Sequence, residues 1–287
     1  MTITEASPLG WLFLFIKIKF KGTNKSMHSI EFFKYQGTGN DFIMIDDRSE
    51  FFDLNNHSII SHYCQRNFGI GADGLILVRN HPEADFEMIY YNADGYLTSL
   101  CGNGSRCAVM FAHQLGIVKN RCKFMTVEGI LTAEIKDNLV HLKMPNVDNV
   151  KSHENHYFLN TGSPQHICYV DDIENYDVFN IGRKIRNGAP YLKEGTNVNF
   201  VKSLAQNQLF VRTYERGVED ETLSCGTGVI AAALVQGLKG ANSPIKVKTL
   251  GGDLQISFEK EAENKFKNIH LIGPAALVFS GEISLET

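Results

Sequence analysis

The sequence predicts an α+β protein: two pseudo-symmetric, mostly β halves, each wrapped around a central helix, with the active site in the cleft between them. An internal repeat is the first reason. Phe33, Gly37, Asp46 and Asp47 return as Phe158, Gly162, Asp171 and Asp172, and Phe52-Asp53-Leu54 returns as Tyr176-Asp177-Val178. Cys101 returns as Cys225, and Thr126, Gly129 and Leu131 return as Thr249, Gly252 and Leu254, all at offsets of 123–125 residues. Matches that keep one order and one spacing mark a duplicated unit. The second reason is a series of short strand-like runs in each half, bounded by turn residues. The third is a switch to helical periodicity after each repeated cysteine.

Taken in order, residues 42–45 and 167–170 read as apolar strands that end at Asp-Asp turns. Residues 75–78 and 198–201 follow as short strands, and 86–91 and 209–214 lead towards the two cysteines. Helices are expected over about 104–115 and 228–238. The run Val229-Ile230-Ala231-Ala232-Ala233-Leu234-Val235 is apolar all round, so the second helix should be buried. Further strands are expected at 123–127, 130–135, 139–144, 245–249, 253–258 and 268–272. Residues 144–156, with Pro145, Asn146, Asp148 and Asn149, read as the connection, giving halves at 27–144 and 145–274.

Residues 1–26 read as an N-terminal extension outside the chemistry. Its apolar run, Trp11 to Ile16, is interrupted beyond by Lys17, Lys19 and Lys21. That is far short of the roughly 20 residues of a membrane helix. The positive charge follows the apolar run instead of preceding it, which fits a secretory signal poorly. Met27 reads as a natural start.

A chain of 287 residues, 43% hydrophobic and 21% charged, has the composition of a globular protein with a substantial core. A net charge of −4 without a basic block points away from nucleic acid and from membrane surfaces. The six cysteines include no Cys-x-x-Cys pair and there is no His-x3-His, so no structural metal site is expected. Free thiols in a reducing cytoplasm are the expectation.

The chemistry concentrates at Cys101-Gly102-Asn103-Gly104 and Cys225-Gly226-Thr227-Gly228. Gly-x-Gly is expected to turn the chain sharply and leave N–H groups bare where the helix begins. A thiol at that point feels the positive helix end, which favours thiolate, and the same N–H groups suit a carboxylate. Two such sites in facing halves suit inversion at a carbon, one sulfur removing a proton and the other returning one to the opposite face.

Three blocks resemble diaminopimelate epimerases: Lys34-Tyr35-Gln36-Gly37-Thr38-Gly39-Asn40-Asp41-Phe42, Asn92-Ala93-Asp94-Gly95 followed by Cys101 to Cys107, and Glu215-Arg216-Gly217 followed by Cys225 to Gly228. The resemblance spans the chain from about Met27 onward. It implies that family's two-domain fold, with a final strand near 275–287 crossing back to the first half. It implies a cofactor-independent interconversion of LL- and meso-diaminopimelate, towards lysine and peptidoglycan. The partner expected is this small-molecule substrate, with a homodimer left open by the sequence. Carried over by residue, Cys101 and Cys225 would be the acid–base pair, with Gly102, Asn103, Gly226 and Thr227 cradling a carboxylate. Asn40, Asn92, Ser163, Asn197, Glu215 and Arg216 would contact substrate, the arginine fork suiting the distal carboxylate. Two positions depart from the pattern. Gly74 stands where some members carry glutamine, and Gly162-Ser163-Pro164-Gln165 replaces a Gly-Asn-Pro-His motif, exchanging a histidine for Gln165. His166 is one residue late and should face the other way on a strand.

Cys64, Cys107, Cys122 and Cys168 are expected to be packing residues. Three alternatives stay open at this stage: a proline-racemase-like or phenazine-pathway-like isomerase on the same scaffold, a thiol redox protein, and a non-catalytic binding protein descended from the enzyme and weakened by Gln165.

Overall fold

The structure is a computed structural model and describes residues 29–99 and 101–284. The extension at 1–26 lies outside the described residues. The first half opens with β1 (Ser29–Gly37) and β2 (Asn40–Asp46), helix α1 (His57–Cys64), β3 (Gly74–His81) and β4 (Ala84–Asn92). It continues through α2 (Gly102–Gln114), β5 (Arg121–Thr126), β6 (Gly129–Lys136) and β7 (Leu139–Lys143). After β8 (Val150–Ser152) the plan begins again with β9 (Tyr157–Asn160), β10 (Pro164–Tyr169), α3 (Val178–Asn187), β11 (Asn197–Ala205) and β12 (Gln208–Glu215). Then come β13 (Asp220–Thr222), α4 (Gly226–Leu238), β14 (Ile245–Thr249), β15 (Gly252–Ala262), β16 (Lys265–Gly273) and β17 (Ala276–Ser284).

The strand pairings repeat with the sequence. β2 runs parallel to β3 as β10 does to β11, and β3–β4 is antiparallel as β11–β12 is. β4 is parallel to β5 as β12 is to β14. The halves join where β7 pairs antiparallel with β16, Leu142 opposite Leu271. β17 then returns to pair with β1, Ser29 opposite Ser284.

Each half closes its sheet around one helix because that helix is apolar and small-sided. In α4 every residue from Val229 to Gln236 is buried, and Ala231, Ala232 and Ala233 let strands approach closely. In α2, Cys107, Ala108, Val109, Phe111 and Ala112 face the same core as Phe42, Met44, Phe86 and Phe124. Burying a side chain such as Phe111 or Leu234 stabilises the fold by roughly 1.5–3 kcal/mol each.

Two features differ from the sequence reading. A second helix sits on each half, capped by Asn56, which accepts from Ile59 N, and by Asp177, which accepts from Asn180 N. These helices bury few residues (Ile60, Tyr63 and Cys64; Val178 and Gly182), so their periodicity is faint. The central helices also start two residues early, at Gly102 and Gly226, so the Gly-x-Gly residues are helical and make no turn. Space explains them instead. A Cβ on Gly102 would sit 2.8 Å from Leu271 Cδ2 and 4.0 Å from Gly226 Cα, and one on Gly228 would sit 2.1 Å from Asn199 Oδ1. The two helix starts abut, glycine against glycine.

Candidate active site

Cys101 and Cys225 are the N-cap residues of α2 and α4, with nearly the same backbone: φ −111°, ψ 117° and φ −109°, ψ 109°. Extended φ/ψ at the cap aims each side chain beside its own helix start, where the first amides lack intrahelical partners. Both sulfurs open on one cleft of about 720 Å³. Asn40, Asn92, Gly102, Asn103, Glu215, Arg216, Gly226 and Thr227 line it too. Ser163 and Asn197 do not line it and stand behind Thr227 and Cys225. A second cavity of about 800 Å³, between Arg121, Lys123, His141 and His270, contains none of these residues.

The two sulfurs meet opposite ends of an asparagine amide. Asn40 Nδ2 donates to Asp73 Oδ2 at 2.6 Å, which turns its Oδ1 to accept from Cys101 Sγ at 3.4 Å and Asn103 Nδ2 at 3.3 Å. Asp73 is itself fixed by Arg66 at 2.8 Å, and Arg66 also grips both oxygens of Asp41. On the other side, Asn197 Oδ1 accepts from the Arg216 backbone N–H at 2.8 Å, so Asn197 Nδ2 points at Ser163 Oγ, 3.1 Å, and Cys225 Sγ, 3.8 Å. Thr227 Oγ1 lies 3.6 Å from Cys225 Sγ. Cys101 thus meets the Asn40 oxygen as well as the Gly104 N–H at 3.5 Å, whereas Cys225 meets the Asn197 amide N–H and the Thr227 hydroxyl, which can donate or accept.

Gln165, where the family pattern has histidine, is fully buried and also points at the Cys225 side. Asn199 Nδ2 donates both to the His166 carbonyl, 3.2 Å, and to Gln165 Oε1, 2.9 Å, while Thr213 donates to Asn199 Oδ1 at 2.8 Å. The backbone carbonyl fixes the Asn199 amide, and Asn199 fixes that of Gln165. Gln165 Nε2 is left to donate to Ser163 Oγ, 2.7 Å, and Thr227 Oγ1, 2.9 Å. His166 faces the opposite side of β10, within 2.7 Å of Tyr191 Oη and 2.8 Å of Cys168 Sγ, and stacks on His156. Cys168, expected to be packing only, is thus a polar contact.

Asn92 Oδ1 accepts from Tyr90 Oη at 3.1 Å, and Glu215 Oε2 accepts from Thr222 Oγ1 at 2.9 Å. Burial raises the Glu215 carboxyl above its ordinary value. Asn103 Nδ2 bridges to the Ser224 carbonyl at 3.0 Å, and its Oδ1 is a buried acceptor without a partner among the described residues. Sequence reasoning missed Asp73, Arg66, Tyr90 and Asn199. Asp73 alone had a signal, since it adjoins the Gly74 position already singled out.

Burial pushes the Cys101 thiol up to about 11, against the opposing N–H groups of Gly104 and Asn103, and Glu215 adds to the rise. Cys225 is pushed up further, again chiefly by burial. The helix starts were expected to leave a useful thiolate fraction at neutral pH. Desolvation outweighs them at both sulfurs and favours the thiol form.

The model of the diaminopimelate epimerase family matches residues 32–148 and 157–278. The chain belongs to the diaminopimelate epimerase family. It is 48% identical over 257 residues to the diaminopimelate epimerase of Flavobacterium psychrophilum, covering 88% of this chain and all of that one. The Aquifex aeolicus diaminopimelate epimerase is 40% identical over 279 residues, covering 90% and 99%. Among solved structures, a PhzF-family phenazine biosynthesis protein of Bacillus anthracis superposes with a TM-score of 0.69 at 16% identity, covering 90% and 99%. A hydroxyproline epimerase of Agrobacterium vitis does so at 0.62 and 14%, covering 90% and 93%. At such identities these two speak for the fold, that of paired pseudo-symmetric halves. Among the described residues of this diaminopimelate epimerase family member, no helix is long and apolar enough to cross a membrane.

Proposed function

We propose that this protein interconverts LL- and meso-2,6-diaminopimelate, with Cys101 and Cys225 exchanging the proton on opposite faces of one Cα. The observation that carries the mechanism is the pairing of two N-cap thiols on one cleft, beneath helix starts that abut at Gly102 and Gly226. A substrate carboxylate laid across the bare first-turn amides of both helices would put its Cα between the sulfurs. Those amides also stabilise the negative charge that builds on the carboxylate as the proton leaves.

The hydrogen-bond polarity supports Cys225 as the thiolate in the loaded cleft and Cys101 as the thiol. Burial raises both thiols, Cys225 the more, so this assignment rests on the hydrogen bonds and not on burial. Asn197 donates towards Cys225, Thr227 can do so, and Asn40 accepts at Cys101. In the return direction the roles exchange. Arg216 and Asn92, on the rim, suit the distal carboxylate and ammonium of a diamino diacid. Both sulfurs must stay reduced, which fits the cytoplasm.

Turnover of purified LL-diaminopimelate under reduction, run in heavy water, tests this reading. Deuterium should enter at Cα as the meso form accumulates. Cys101→Ser and Cys225→Ser should each lower kcat by about 10²–10⁴-fold. Full turnover with either variant, or turnover without deuterium entry, would sink it.

A further inference from the structure

Gly74 lies in β3 between Phe42 of β2 and Asn92 of β4, which pair with it on either side. With no side chain between them, the rings of Phe42 and Tyr90 meet edge to face, centroids 5.7 Å apart. A Cβ at position 74 would sit 2.6 Å from Tyr90 Cε2 and would also strike the Tyr91 carbonyl. The glycine and the tyrosine are therefore one arrangement, in which the ring of β4 uses the space a side chain on β3 would need. Tyr90 and Asn92 stand two residues apart on β4 and share a face. Both line the cleft that holds Cys101 and Cys225.

Filling the space beside Gly74 needs only the ring, so the hydroxyl calls for its own explanation. It donates to Asn92 Oδ1 at 3.1 Å. Burial, with Cys101, Asp73 and Glu215 adding to it, raises the Tyr90 phenol above its ordinary value, so the hydroxyl keeps the proton it donates. That bond decides which end of the Asn92 amide is which. The oxygen is engaged, and among the described residues Nδ2 of this exposed asparagine has no acceptor. An N–H left free in a cleft suits an oxygen anion and does nothing for an ammonium. We propose that Tyr90 is a positioning residue that sets specificity: it holds the Asn92 amide with the N–H end towards the ligand, so that Asn92 joins Arg216 in reading the distal carboxylate of a diamino diacid. The proposal rests on the epimerase reading and adds the residue that orients one of its contacts.

The test compares LL-diaminopimelate with its monoamide, in which one carboxylate is replaced by a carboxamide, used as a competing inhibitor of turnover. A carboxamide can meet either end of a loosened asparagine amide, a carboxylate only the N–H end. Tyr90→Phe keeps the ring against Phe42 and removes the hydroxyl alone. It should raise KM for diaminopimelate about tenfold with kcat within about threefold, the pattern of a lost contact remote from the reacting centre. The Ki of the monoamide should rise less than about threefold, because its neutral group tolerates both amide orientations. In an Asn92→Ala background the same substitution should move KM less than about twofold, since the hydroxyl acts through that amide. The thermal midpoint of Tyr90→Phe should match wild type. An unchanged KM, an equal rise in KM and Ki, or an undiminished effect in the Asn92→Ala background overturns the assignment. So does a Tyr90→Phe protein that fails to fold or melts markedly lower, because the hydroxyl is then structural. Absence of wild-type turnover sinks the epimerase reading and this inference with it, whereas wild-type turnover with an unaltered Tyr90→Phe sinks the inference alone.

Discussion

Asparagines, not the cysteines, set the difference between the two sides of the cleft. Asn40 and Asn197 carry the same amide, yet each is turned by a different anchor, Asp73 in one case and the Arg216 N–H in the other. One presents oxygen to sulfur and the other nitrogen. Gln165 is turned in the same manner by Asn199, and it reaches Thr227 without a titrating group of its own. Gln165→His should therefore preserve or raise turnover, since an imidazole nitrogen can also meet Thr227 Oγ1 and adds a proton acceptor beside Cys225. A fall of more than about tenfold in kcat would show a pocket fitted to the amide. None of this polarity was legible from residue types. An asparagine in a motif names a hydrogen-bonding side chain, and only its neighbours decide which end points where. The full burial of Arg106 was hidden for a related reason, because an arginine on a helix ordinarily reads as surface.

The abutting helix starts explain why glycine recurs after each cysteine. At Gly102 an added Cβ meets the flexible tip of Leu271, whereas at Gly228 it meets Asn199, which is held by Thr213, Gln165 and the His166 carbonyl. Gly228→Ala should cost about 1–3 kcal/mol in urea unfolding, and Gly102→Ala clearly less. Asn199→Ser in the Gly228→Ala background should recover part of the loss; no recovery would place the strain elsewhere. The repeat, the strands and the central helices were readable because duplication and apolar runs leave marks in sequence. The outer helices α1 and α3 were not. They are 8 and 10 residues long and rest on side-chain caps, Asn56 and Asp177, more than on buried apolar faces. The early helix starts escaped because glycine is a poor helix former, and here close packing overrides that preference.

Across the whole molecule every cysteine holds its proton more tightly folded than unfolded. Burial lifts Cys101 and Cys168 to about 11 and Cys64 and Cys122 to about 12, and it raises Cys107 and Cys225 as well, from an ordinary 9.0. Tyr35 and Tyr191, raised by burial to about 12 from 10.0, pull the same way. For groups raised on folding, the stability they contribute is complete below the unfolded value and disappears as pH climbs through the folded one. The thermal midpoint should hold steady to about pH 9 and drop between about 9 and 12, less steeply in Cys122→Ala. A flat midpoint across that range would show the thiols to be solvated. The same chain route that closes the molecule also orders its assembly in time. β1, the earliest described strand, has β2 on one flank and β17 on the other. As the ribosome extrudes the polypeptide, that second flank stays bare until every other described strand has emerged. A nascent first half is thus a sticky intermediate, and the cell must shelter it until translation delivers the strand that seals it.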